Sequence, residues 1–130
     1  MSERFTKGFE TIKQYVTEEE ATRMVEHDAL ANVAPDLRKM IVEFAYGDVY
    51  SRPGLDNKSR ALVVITAVVT QGAAPQIKTH ITRGLNVGLT PTEIVEALLQ
   101  LVPYIGFPRV QNALTMAQQV FQEKGLTVEK

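Results

Sequence analysis

The stretch TQGAAPQIKTHITRG, residues 70–84, gathers side chains with the capacity for chemistry. His80 is one of two histidines in a chain of 130 residues. Imidazole is the side chain whose ordinary pKa lies nearest neutrality, so it can give or take a proton at working pH. Arg83, three residues on, shares a helical surface with it and has the two-pronged donor set that holds a carboxylate. Gln76, one turn before His80, can hydrogen-bond but cannot carry negative charge. The same residues also fit a plainer account, an interior or interface histidine beside a solvated arginine. Residue types alone leave both open.

Three more candidates lie elsewhere. Arg52 sits in the loop GDVYSRPGLD and Arg60 at the head of an apolar run; either can bind an anion, although Arg52, beside a proline, is better suited to hold its loop against a neighbouring subunit. Tyr104, like Tyr50 and Asn112, is of a type that can line a pocket as readily as pack or cap. His27, in VEHDAL, has Glu26 and Asp28 as direct neighbours, but adjacent side chains diverge, so a surface histidine is expected there and no metal ligand set.

Composition narrows the classes. Fourteen Lys and Arg against fifteen Asp and Glu, with no basic run, provide no phosphate-neutralising patch, so no nucleic-acid partner is expected. The longest apolar run, Ala61 to Val69, is about half of the roughly 20 residues that span a bilayer. The segment MSERFTKGFE lacks the apolar core of a signal peptide, which leads to the expectation of a cytoplasmic protein without a membrane span. There is no cysteine, so disulfides, thiolate metal sites and thiol redox chemistry are excluded.

The elements that must position these side chains read as helices. Phe5, Phe9, Ile12 and Val16 recur at helical spacing over roughly residues 3–15, with Ser2 as a cap. Thr17 and Glu20 match a capping box and open a second helix to about Leu30. After Ala34-Pro35 a third helix, ending near Gly47, places Leu37, Met40, Ile41, Phe44 and Ala45 on one face. Residues 59–70, SRALVVITAVVT, are rich in strand-favouring types, but a lone strand has no partner, so an apolar central or interface helix is expected. Pro75 and Gly88 bound a helix over about residues 75–87, with His80 in its middle at the margin of the apolar face. Thr90-Pro91-Thr92-Glu93 is the clearest helix start in the sequence, and that helix is expected to stop around Pro103. A final helix carries Val110, Leu114, Ala117, Val120 and Phe121 and is capped by Gly125, after which LTVEK is expected to fray.

The order and spacing of GDVYSRPGLD, the helix from Arg60, HITRGLNVGLT, PTEIVEALLQ and YIGFPRVQNAL resemble the carboxymuconolactone decarboxylase family over nearly the whole chain. The resemblance implies an all-α fold of the alkylhydroperoxidase D-like type with about six to seven helices. It further implies a single domain over residues 1–130, with a core at 33–121 and N-terminal helices at 1–32, assembling as a ring homo-oligomer, a hexamer or trimer. It implies one of two chemistries. The thiol branch uses two cysteines ahead of the histidine. Counted back from His80, those positions fall on Ala73 and Gln76, and the relay glutamate falls near Ala61, so a peroxidase has no nucleophile here. The other branch decarboxylates 4-carboxymuconolactone. That chemistry needs no cofactor, because the electrons left by carbon dioxide flow into the lactone; it needs an oxyanion stabilised, a proton delivered and two carboxylates held. The resemblance therefore casts His80 as general acid, with Arg83, Arg60, Arg52, Gln76 and Tyr104 as substrate-binding residues and a lactone or carboxylic acid as substrate. Decarboxylase-type relatives often carry a carboxylate where Gln76 stands. A catalytically silent oligomer that binds a small acid or a partner is the alternative.

Overall fold

A computed structural model describes residues 1–129, and among them every regular element is helical. The chain divides into two compact units, Met1–Leu55 and Asp56–Lys130.

The first unit contains α1 (Glu3–Ile12), α2 (Glu18–Glu26) and α3 (Leu37–Met40), which continues without a break into a π-helical stretch, π1 (Ile41–Tyr50). The Ser2 hydroxyl accepts the Phe5 N–H, which caps α1, and donates to the Glu43 carboxylate of π1. Thr17 caps α2 by accepting the Glu20 N–H. Both helices are shorter than the sequence pattern suggests: α1 gives way to turns after Ile12, and α2 ends at Glu26, so His27 is its C-cap and is exposed. Backbones of α1 and π1 touch through glycine. A Cβ built on Gly8 would lie 1.9 Å from the Val42 carbonyl oxygen, and one on Gly47 would lie 2.6 Å from that of Arg4. Ile12, Tyr15, Ala21, Val42 and Tyr46 form the core of this unit, with the Tyr46 ring stacked on Tyr50 at 4.3 Å.

The third helix corrects the expected face in part. Ile41 and Ala45 pack against the core as expected, and Val42, Glu43, Tyr46 and Gly47 are buried, whereas Met40 and Phe44 are exposed and Leu37 borders on it. The physical reason is twofold: π winding closes i→i+5 bonds, so residues past Ile41 rotate away from their α-helical bearings, and the glycine contacts draw the Val42–Gly47 side against α1.

The second unit contains α4 (Asn57–Gln71), α5 (Ala74–Asn86), α6 (Pro91–Gln100), α7 (Val102–Ile105) and α8 (Phe107–Glu123). The strand-favouring run is helical: Asp56 accepts the Ser59 N–H at 2.7 Å to start α4, and Ala61, Ile65 and Val69 face inward while Val63 is exposed. Thr90 and Glu93 form the full reciprocal capping box of α6. Pro103 does not stop that helix; α6 has already ended at Gln100, and the proline occupies the first turn of α7, where its missing N–H costs no bond. A core of Ile65, Ile77, Ile81, Ile94, Leu98, Val110 and Val120 joins α4, α5, α6 and α8. No helix among the described residues is long and apolar enough to cross a membrane.

Candidate active site

Local rules place His80. Pro75 in the first turn starts α5, and its inward residues Ile77, Ile81 and Gly84 recur at helical spacing and are buried. His80 falls beside that face and is half-buried; Gln76 lies on the exposed side one turn earlier. Gly84, one turn after His80, lets α5 approach α4. A Cβ there would stand 2.9 Å from Leu89 Cδ1, 3.0 Å from Ile65 Cδ1 and 3.8 Å from Ala61 Cβ. Ala61, where the thiol branch of the resemblance would carry a glutamate, is buried in the apolar seam between α4 and α5.

Burial pushes the His80 imidazole down to about 4, and the nearby Arg83 cation adds to the effect in the same direction. At neutral pH the ring is uncharged: it can donate one N–H, accept at the other nitrogen, and take up a proton when a negative group approaches. Arg83 is half-buried on the same helix, and its charge acts on the imidazole.

The remaining candidates lie on other elements. Arg60 is half-buried in the first turn of α4, Tyr104 is exposed on α7, and Arg52 is exposed in the loop after π1, in the first unit. Asn112 lines a cleft of about 410 Å³ with Pro75, Lys78, Thr115, Met116 and Gln119, a set that does not include His80. No group of three or more His, Asp or Glu side chains among the described residues could hold a metal ion.

One positioning contact escaped the sequence pattern. The Arg109 guanidinium on α8 donates from Nη1 to the Thr70 carbonyl at 2.7 Å, satisfying an orphan acceptor in the last turn of α4. Gly72 then turns the chain in the left-handed region, φ 68°, and a Cβ there would lie 2.9 Å from that same nitrogen. Together they fix the corner from which α5, and with it His80, departs. A glycine two residues ahead of the Ala74-Pro75 helix start was the available signal; its arginine partner, 39 residues away, was not.

Residues 35–119 match the carboxymuconolactone decarboxylase family. Over 128 residues, 98% of this chain and 94% of the other, it is 32% identical to the 4-carboxymuconolactone decarboxylase of Acinetobacter baylyi. It is 34% identical over 99 residues to the nitrosuccinic acid decarboxylase of Metarhizium robertsii, covering 74% of this chain and 69% of that one. A 15.0 kDa protein of Paracoccus denitrificans is 35% identical over 98 residues, covering 74% and 73%. An all-helical chain, a histidine and an arginine one turn apart on a central helix, and this coverage lead to one statement: the chain belongs to the carboxymuconolactone decarboxylase family.

Proposed function

We propose that this protein is a carboxy-lyase acting on a small organic acid, 4-carboxymuconolactone or a related lactone acid of aromatic-compound breakdown, with His80 as proton donor. The observation that supports it is the pairing on α5 of a half-buried, uncharged imidazole with a cation one turn away. The two decarboxylase relatives are named for acids of one electronic kind. In each, the bond electrons left by departing carbon dioxide can pass to an acceptor oxygen, the lactone carbonyl in one and the nitro group in the other. Such a substrate supplies its own electron sink, so the reading includes no cofactor.

The steps balance around one proton. Arg83, with Arg60, Arg52, Gln76 and Tyr104 as further candidates, holds the carboxylates and opposes the charge that develops on the acceptor oxygen. The arriving anion favours the charged imidazolium and so draws a proton from solvent onto His80. The C–C bond breaks, carbon dioxide leaves, and its electron pair moves through the conjugated system to oxygen. His80 then transfers its proton to carbon and returns to the neutral ring. The reaction consumes one proton per turnover. The same reading places the protein in the cytoplasm as a ring homo-oligomer, a hexamer or trimer.

Carbon dioxide release from 4-carboxymuconolactone by the purified protein tests the reading. His80→Ala is expected to lower kcat about 10²–10⁴-fold, the usual contribution of a general acid, with helicity unchanged. No turnover by the folded wild-type protein would defeat the proposal. Gln76 favours a second reading, a silent acid-binding member of the family, because it puts a neutral amide where decarboxylase-type relatives often carry a carboxylate. Stabilisation by lactone acids in a thermal-shift series, without carbon dioxide release, would select that alternative.

A further inference from the structure

The corner between α4 and α5 consists of Gly72 and Ala73 alone. The Gly72 N–H donates to the Val69 carbonyl and the Ala73 N–H to that of Val68, both at 3.0 Å, the paired bonds by which a left-handed glycine closes a helix end. The Thr70 carbonyl lies outside that pair and is the one Arg109 Nη1 takes, at 2.7 Å. A cation there also opposes the negative end of α4. α5 begins at once, with the Ile77 N–H on the Ala73 carbonyl at 3.0 Å and no side-chain cap, so its starting direction is inherited from the corner.

The latch joins three helices. α4, α5 and α8 pack pairwise, and Arg109, in the first turn of α8 behind Pro108, ties α8 to the end of α4 where α5 departs. Further along α5, Gly84 lies against Ile65 and Leu89. His80 stands between these two holds, about 10 Å along the helix from Ala73. A change of about 5° in the bearing of α5 at the corner therefore carries the imidazole about 1 Å, and a misplacement of that size can cost about a hundredfold in rate. Arg109 itself is exposed, so removing its side chain opens no cavity in the core. Its effect on the site is thereby separable from an effect on stability.

We propose that Arg109 is a positioning residue for His80: by holding the Thr70 carbonyl it sets the bearing of α5 and so the place from which the imidazole meets the substrate. The proposal rests on the decarboxylase reading for the reaction that His80 serves. Arg109 acts through the backbone, whereas the charge that acts on the imidazole directly is that of Arg83.

The test compares Arg109→Ala and Arg109→Lys in the full chain, with carbon dioxide release from 4-carboxymuconolactone and an NMR titration of His80 as separate readouts and helicity as the folding control. Buried Ile77 and Ile81 limit the swing of α5, so Arg109→Ala is expected to lower kcat by about tenfold, with KM changed less than about twofold. The His80 midpoint is expected to rise from about 4, because a loosened corner admits water to the ring. Arg109→Lys keeps a charged donor for a single carbonyl and is expected to restore kcat to within about threefold of the wild type. An unchanged kcat and an unchanged His80 midpoint in folded Arg109→Ala would overturn the proposal, even if its melting temperature fell. A raised KM at constant kcat would overturn it as well, by making Arg109 a substrate-binding residue. Absence of turnover in the wild type would defeat the decarboxylase reading, and the His80 midpoint would then decide the positioning by itself.

Discussion

α5 in one unit and the α3–π1 rod in the other are both amphipathic by sequence, yet only one buries the whole of the face its sequence marks. On α5, Ile77, Ile81 and Gly84 are met by α4 and α8 and are closed to solvent. On the rod, Met40 and Phe44 are open and Leu37 is half-open, while Val42, Tyr46 and Gly47 are drawn against α1. Periodicity states which residues gain by leaving water; it does not state which surface receives them. For α5 the receivers are α4, its neighbour in the chain, and the longer-range α8. For the rod, two glycine contacts and a π stretch settle which side turns inward, and Met40 and Phe44 stay on the open side.

The comparison breaks most sharply at Gly8. Alanine there would drive its Cβ into the Val42 carbonyl oxygen, a backbone atom that cannot swing aside, so Gly8→Ala is expected to cost about 3 kcal/mol or more. Urea melts would show it, and an unchanged midpoint would mean that α1 does not bear on the rod as described. Next comes a paired truncation. Ile81→Ala removes a fully buried side chain and should cost about 2–4 kcal/mol. Met40→Ala, at a residue 63% exposed, should cost no more than about 0.5 kcal/mol. Equal losses would remove the distinction between the two helices.

A further test is in pH dependence. The His80 ring titrates near 4 in the folded chain against an ordinary 6.5, so between these values the unfolded chain binds the proton that the folded chain refuses. Stability therefore falls as pH drops from about 6.5 toward 4, and His80→Gln is expected to flatten that part of the profile. An NMR titration reads it residue by residue. If His80 protonates near neutrality in the free protein, its half-buried placement beside Arg83 is wrong.

Helix existence was legible because caps, prolines and glycines act within one or two turns: Asp56, Thr90 and Pro75 each do locally what their types require. The helical state of residues 57–71, against the preferences of valine and threonine, followed from the lack of any strand to pair with. Boundaries were less legible, since α2 stops at Glu26 and Pro103 opens a helix instead of ending one; both depend on what the next segment packs against. Of the site, His80 and Arg83 were visible because three-residue spacing on one helix fixes them as neighbours. The Arg109–Thr70 latch was not, because it joins residues 39 apart through folding alone.

The sequence by itself determined the family, the helical class, a chemistry without thiols, and the pairing of His80 with Arg83, for these rest on residue identity and on spacing within one helix. Only tertiary structure decided that the imidazole is uncharged at rest, that α5 can approach α4 through Gly84, and that the rod turns Val42 inward and Phe44 out. Burial, backbone clearance and the choice of packing face come from atoms distant in the chain, and no local pattern encodes them.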